Sequence, residues 1–428
     1  MSVSGQDGSG RTHLPTAVWI IALVNTMTAI GFGVMSPVLP VYARNFGVSS
    51  FLIGLVVSAL AIVRLATMPL SSRMMRLIGP RELAIAGSLL VATTTFLIGV
   101  ARSYWGVLLW RGLSGLGSGL VTVTTLSILF AVVPAGQRGR ANAISGGGWV
   151  LGGMVGPALG GLVATISIHA PFFFYAATLL VSAVIIVVGL PRTARETRLV
   201  RRQPSVGLSQ LLLDKRFRTA LVVNFANGWQ SNGVRNLLVP LFVVEVLHLK
   251  TSFGGIAFAV AAVVQAACLP VTGWSVDRFS RRTILVIGAA VAGLTSIGLA
   301  LTGSYVVLII MMSLYAVGVS AMGSASQALL ADTVPLSASA GLAAYQMSAD
   351  LGTILGPLVA GAVVDTVNLS VAWVFGAVAL LAGAGLALGL PAGVQPRVGE
   401  PGSEIPTVHH RIGPWPSILR RRAHGTAE

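Results

Sequence analysis

Twelve stretches of this chain are long and apolar enough to cross a lipid bilayer, over approximately 16–40, 51–71, 83–101, 105–131, 142–165, 171–190, 218–243, 252–274, 283–302, 304–331, 341–364 and 370–390. At about 1.5 Å of rise per residue, roughly 20 helical residues span about 30 Å of hydrocarbon. No water is present there to satisfy backbone N–H and C=O groups, so each run must close its hydrogen bonds internally as a helix. The expected fold is an all-α polytopic membrane protein with 12 transmembrane helices. Composition closes the alternatives. Charged residues make up 9% and hydrophobic residues 54%, whereas a soluble domain carries about a quarter charged residues. A disordered chain needs the opposite balance, and the 51 glycines follow no collagen period. The first run is too long for a signal-peptide core and lacks a small-residue cleavage site, so it reads as an uncleaved span. The single cysteine, Cys268, excludes an internal disulfide and a thiolate metal site and reads as a small buried hydrophobe.

The runs form two groups of six, at 16–190 and 218–390. Between them lies an Arg-rich segment, 191–217, and outside them the polar tails 1–15 and 391–428, the second with the basic run Arg420, Arg421, Arg422. With twelve spans both tails share a side. Placing the tails and the even-numbered loops together gathers 22 of the 28 basic residues, among them Arg11, Arg73, Arg76, Arg81, Arg138 and Arg140. The other side holds Arg44, Arg102 and Lys250, and three more arginines lie inside spans. The positive-inside rule therefore puts both termini in the cytoplasm, and the net charge of +16 is an orientation signal, with no nucleic-acid partner implied. Only two basic residues are Lys, a bias of GC-rich bacterial genomes, so the expected location is a bacterial plasma membrane.

The two groups repeat at an offset near 200. Gly33 and Pro40 recur as Gly233 and Pro240, and Gly54 and Pro69 as Gly255 and Pro270. Tyr104, Gly117 and Pro134 recur as Tyr305, Gly318 and Pro335; Gly152, Gly156, Pro157 and Gly161 recur as Gly352, Gly356, Pro357 and Gly361. Two homologous six-helix bundles joined by a basic loop form a transporter architecture that binds cargo between the halves.

At the level of motifs the chain resembles the major facilitator superfamily, in particular its 12-span drug:proton antiporters, over essentially all spans. Gly152-Gly153-Met154-Val155-Gly156-Pro157-Ala158-Leu159-Gly160-Gly161 is similar to the antiporter motif G-x-x-x-G-P-x-x-G-G. Leu109 to Gly117 resembles the span 4 motif whose Arg, here Arg111, is implicated in proton transfer, with Ser114 in place of the usual Gln. Gly33 to Pro40 looks like the first-span signature of drug antiporters. Gly273 to Arg282 is similar to the gating loop G-x-x-x-D-R-x-G-R-R, with Asp277, Arg278 and Arg282 in place and Ser280 for one Gly. The first copy of that loop departs from the pattern: Arg76 stands at the position of the family's Asp, which shifts the expected gating role to Asp277 and Arg278 or to another contact.

Ionisable residues inside spans are costly and therefore functional candidates. Arg64, Arg111, Arg235 and Asp350 qualify, whereas Glu245, Asp332 and Asp365 sit near span ends and read as structural or interfacial charges. Arg64 and Asp350 lie at similar depth on spans 2 and 11, which the resemblance makes neighbours across the seam, so they are expected to pair in at least one state. The resemblance also places spans 1, 4, 7 and 10 around the central cavity. Two unpaired cations there, Arg111 and Arg235, would favour anionic or zwitterionic cargo; the alternative is that Asn25, Asn224, Asn227 or backbone carbonyls hold them. Phe32, Met27, Trp149, Trp229 and Met347 are candidates for an adaptable cargo wall or for plain packing. The pair His409 and His410 has no further ligands for a metal. Gly146-Gly147-Gly148 lacks the Lys of a phosphate loop, and no nucleophile elbow or metalloprotease motif is present. The expected protein is a monomeric secondary transporter without cofactor, exporting small amphipathic compounds against protons; an importer or uniporter, and more remotely a receptor, are the alternatives.

Overall fold

The computed structural model describes residues 14–133, 137–190, 208–334 and 339–391. Arg11, Pro134, Pro335, most of the Arg-rich segment, the C-terminal tail from 392 with His409, His410 and Arg420 to Arg422, and the side chains of Pro69, Arg76 and Arg138 lie outside the described residues. Every regular element among the described residues is helical. Eleven single helices are long and apolar enough to cross a membrane: Thr16–Met35, Ser50–Ile78, Pro80–Gly99, Tyr104–Val132, Arg138–Ile166, Ala170–Gly189, Thr251–Arg278, Arg281–Ala300, Tyr305–Thr333, Ser339–Thr366 and Leu369–Leu388. These are spans 1 to 6 and 8 to 12. Several overrun the apolar runs by a turn or two, because a helix ends where its caps allow. Ser49, Ser103 and Asn368 accept backbone N–H bonds at the starts of spans 2, 4 and 12.

Span 7 is a composite. An α-helix over Lys215–Asn227 passes into a wide π turn over Gly228–Val234, resumes as α over Arg235–Leu241 and ends in a second π stretch, Phe242–Val246. Span 1 is simpler: its helix stops at Met35, crosses Ser36–Val38, where Pro37 has no N–H to donate, and resumes over Leu39–Arg44.

Packing repeats between the halves. Span 1 lies on spans 5 and 6, span 2 on span 4, and span 3 on spans 4 and 6; span 7 lies on spans 11 and 12, span 8 on span 10, and span 9 on spans 10 and 12. The hydrogen bonds repeat too. Tyr104 donates to the Leu52 carbonyl at 3.0 Å and Tyr305 to the Phe253 carbonyl at 2.8 Å. Asn25 bonds Ser145 as Asn224 bonds the Tyr345 carbonyl.

Glycines make these contacts close. Gly148, Gly152, Gly156 and Gly160, one per turn of span 5, abut the backbone of span 1; a Cβ on Gly156 would sit 2.7 Å from Gly33 Cα, and one on Gly160 2.6 Å from the Val34 oxygen. Gly161 turns the other way, onto Ser252 and Gly255 of span 8. That crossing and its counterpart, Gly54 and Ser50 of span 2 on Pro357 and Gly361 of span 11, join the halves. The antiporter-motif glycines therefore act as a packing stripe with one residue at the seam. Gly156→Ala should destabilise the folded protein by about 1–3 kcal/mol through overpacking. Gly153→Ala, whose Cβ would meet nothing within 4 Å, should leave thermal melting in detergent unchanged or slightly raised. Equal melting points for both variants would refute the packing role.

Candidate functional site

Among the described residues the seam between spans 2 and 11 carries most of the polar bonds that join the halves. At its middle Arg64 Nη2 donates to Asp350 Oδ1, an ion pair between opposite bundles. Arg64 reaches this place because span 4 lets span 2 come close: Gly115 faces Leu60 and Arg64, and Gly119 faces Arg64 and Thr67, with no Cβ between. Asp350 is 8% exposed, so its charge is largely removed from water and depends on Arg64 for compensation. One turn further along, Ser58 Oγ donates to the Ile354 carbonyl at 2.7 Å.

The remaining inter-half bonds lie toward the end formed by the loops after spans 1 and 7. Both carboxylate oxygens of Asp365 accept from span 2, from the Ser50 and Phe51 N–H groups at 2.8 Å each. Span 11 thus caps the N-terminus of a helix in the other half, where the helix dipole favours negative charge. Beside it Arg44 grips Glu245 in a two-pronged pair, Nε to Oε1 at 2.6 Å and Nη2 to Oε2 at 3.2 Å. These three residues were not among the expected functional groups. Their position near span ends hid them, and only the Asp at the close of span 11 facing an unsatisfied helix start could have exposed Asp365.

Arg111 is 3% exposed. Its Nη1 points at Met35 Sδ at 3.9 Å, its guanidinium lies 5.8 Å from the Phe32 ring centre, and Tyr175 and Arg64 add their fields. Arg235 is half-buried on span 7, between the ring faces of Phe258 at 5.2 Å and Tyr315 at 5.3 Å. Neither cation has a carboxylate partner among the described residues, and the Nε of each makes no hydrogen bond. Asn25, Asn224 and Asn227 do not hold them: the first two tie span 1 to span 5 and span 7 to span 11, and Asn227 accepts from Ser231.

Among the described residues, the ion pair, hydrogen bond and ring contact of the loop after span 8 lie within its own half. Arg278 stacks on Trp274, Arg282 donates to the Leu390 carbonyl at 3.0 Å, and Arg281, with the Asp277 charge nearby, pairs with Asp332 of span 10. Of the candidate wall residues, Trp149 and Met347 are exposed and Trp229 is half-buried with a free indole N–H. Cys268 is half-buried, and the described residues contain no group of three metal-ligating side chains.

This arrangement of two six-helix bundles meeting on spans 2, 5, 8 and 11 has relatives. The profile described as Major Facilitator Superfamily matches residues 21–264 and again 220–424. Multidrug resistance protein 1 of Bacillus subtilis (strain 168) is 24% identical over 377 residues, 86% of this chain and 95% of its own. The quinolone resistance protein NorA of Staphylococcus aureus (strain MRSA252) is 28% identical over 149 residues, 34% of this chain and 37% of its own. Among solved structures, a bacterial homolog of the human lysosomal transporter Spinster, in an inward-facing and unoccupied conformation, superposes with a TM-score of 0.67 at 17% identity, covering 88% of this chain and 96% of that one. With matches that reach from span 1 into the C-terminal tail, the chain is a multi-pass membrane transporter and belongs to the Major Facilitator Superfamily.

Proposed function

We propose that the protein exports small amphipathic compounds in exchange for protons by alternating access, as a monomer, with both termini in the cytoplasm. The observation that carries the proposal is the Arg64–Asp350 pair, an acid and its counter-charge on opposite halves at the middle of the seam. While Asp350 is ionised, the pair ties span 2 to span 11. A proton taken up by the Asp350 carboxylate removes the negative member, and the cost of separating the halves falls. Breaking a buried pair by neutralising one member costs about 3–5 kcal/mol, enough to shift a two-state equilibrium by roughly two to four orders of magnitude.

Export is supported by the span 5 motif and by the drug-resistance function in the names of two relatives, and the orientation by the basic residues gathered on the side of the even-numbered loops. With that orientation, Arg44–Glu245 and the Asp365 cap lie on the outer face, and the described conformation is the one closed outside. Arg111 lies within the field of Arg64 and keeps the proton-transfer role that the resemblance implies for it. Asp277, Arg278 and Arg282 would act at the cytoplasmic end, bracing spans 8 and 9 against 10 and 12.

Export of a fluorescent dye from overexpressing cells should collapse on adding a protonophore, and Asp350→Asn should lose this dependence while the protein still reaches the membrane. Proton coupling unchanged in Asp350→Asn removes Asp350 from the mechanism; a dye gradient that builds inward identifies an importer. At the outer gate, Glu245→Gln weakens a half-exposed pair, worth about 0.2–1 kcal/mol, and Asp365→Ala deletes a cap worth about 0.5–2 kcal/mol. Together they should raise outward opening several-fold, read as faster alkylation of a cysteine introduced at Ser58. Labelling rates equal to those of the parent would show that neither contact holds the gate.

A further inference from the structure

The two π stretches of span 7 have an arithmetic cause. Asn25 and Asn224, which play the same part in the two halves, are 199 residues apart. Gly33 and Gly233, which both pack on the Gly-Pro step of the facing helix, are 200 apart. Arg44 and Glu245 are 201 apart, as are Gly47 and His248, which both adopt positive φ. The register between the halves slips by one residue across Gly228–Val234 and by one more across Phe242–Val246. Each π stretch therefore houses one extra residue while the helix faces on either side stay matched.

The first extra residue falls just before Arg235. In the matched register Arg235 stands where span 1 has Met35, and Arg111 of span 4 stands where span 10 has Met312. Each half thus sets one arginine at this crossing, but from opposite helices and with opposite results. Arg111 is shut in against Met35 and Phe32. Arg235 keeps partial exposure. It lies about 16 Å along the helix from the outer end of span 7 at Val246, near the bilayer midplane. The widened turn ahead of it carries Ser231, whose hydroxyl bonds the Tyr315 hydroxyl at 2.7 Å and so fixes one ring against the guanidinium, and the exposed Asn232. Asn236, one turn on from Asn232, bonds its carbonyl at 3.1 Å.

We propose that Arg235, steadied between Phe258 and Tyr315 and flanked by Asn232 and Asn236, is a carboxylate-binding subsite, so that the cargo is an amphiphile bearing a carboxylate, anionic or zwitterionic. A guanidinium offers forked donors that match a carboxylate. The rings fix its plane and offer an apolar surface to the body of the ligand, and no acid among the described residues pairs with it. That the ligand is the exported cargo rests on the transport reading above; the binding chemistry does not.

The test is equilibrium binding to the purified full chain in nanodiscs, without a proton gradient. The probes are matched acid and methyl-ester pairs: rhodamine 110 with rhodamine 123, and pyrenebutyrate with its methyl ester. The parent protein should bind the acid of a pair at least about tenfold more tightly than the ester. Arg235→Met should bring acid and ester to within about twofold of each other by weakening the acid, with ester affinity retained. Arg235→Lys should keep part of the preference. A second measurement needs no variant: the acid, and not its ester, should shield Arg235 of the parent protein from phenylglyoxal, mapped by mass spectrometry. No acid preference in either pair, a preference that survives in Arg235→Met, or equal shielding by acid and ester overturns the subsite. Retained acid preference without proton-driven efflux would instead sink the export reading and leave the subsite standing.

Discussion

The crossing of span 2 over span 11 sets the terms for the whole molecule. Ser50, Gly54 and Ser58 on one side meet Gly361, Pro357 and Ile354 on the other, at backbone distance. At that separation there is no room for long side chains to splay apart or for a water layer to intervene. Any charge placed a turn or two further in must find its partner on the facing helix. Arg64 and Asp350 do so, and Asp365 does so at the helix start. The glycines bring the backbones close; closeness makes the polar bonds short and makes their loss expensive.

The duplicated seam differs from this one. Span 5 meets span 8 through Gly161, Gly255 and Pro157 in the same geometry, yet where span 2 has Ser58 and Arg64 span 8 has Ala259 and Gln265. Where span 11 has Asp350 and Asp365, the matched residues of span 5 are Val150 and Thr165. Among the described residues, therefore, no ion pair or side-chain hydrogen bond crosses from span 5 to span 8, whereas both cross from span 2 to span 11. Two halves packed on apolar contacts at one seam and joined by ionisable groups at the other give the seams unequal responses to charge, and the proposed protonation of Asp350 would act on the second alone.

Much of this was legible in the sequence. Twelve apolar runs, the recurrence of Gly and Pro near an offset of 200, and similar depth on spans 2 and 11 were enough to expect the bundle, its duplication and a partner for Arg64. The outer contacts were not legible for a physical reason. Arg44 and Glu245 sit at span ends, where a charge costs little, and only the fold brings two such ends together. The π stretches were hidden for another: a shift of one residue in an offset of 200 disappears when Gly and Pro are matched loosely, and the hydropathy of span 7 gives no sign that its helix is broken into four pieces. The reciprocal exchange of arginine and methionine between spans 1, 4, 7 and 10 follows from the offset of 200 at Gly33 and Gly233 and of 201 at Tyr104 and Tyr305.

The same exchange explains how the membrane tolerates the two unpaired arginines. An arginine at the centre of a spanning helix costs about 2.5–3.5 kcal/mol on insertion scales, and a ring face returns about 0.5–2 kcal/mol. Arg235 has two rings, so attraction to them approaches the cost of its charge. Rings accept charge but make poor acceptors for five directional N–H groups, and a donor left unbonded in a dry site costs about 1–3 kcal/mol. Its Nε–H has no acceptor among the described residues. A cation compensated in charge but not in hydrogen bonds is stable enough to fold and still prefers an oxygen ligand, which is the condition that the carboxylate subsite proposed at Arg235 requires.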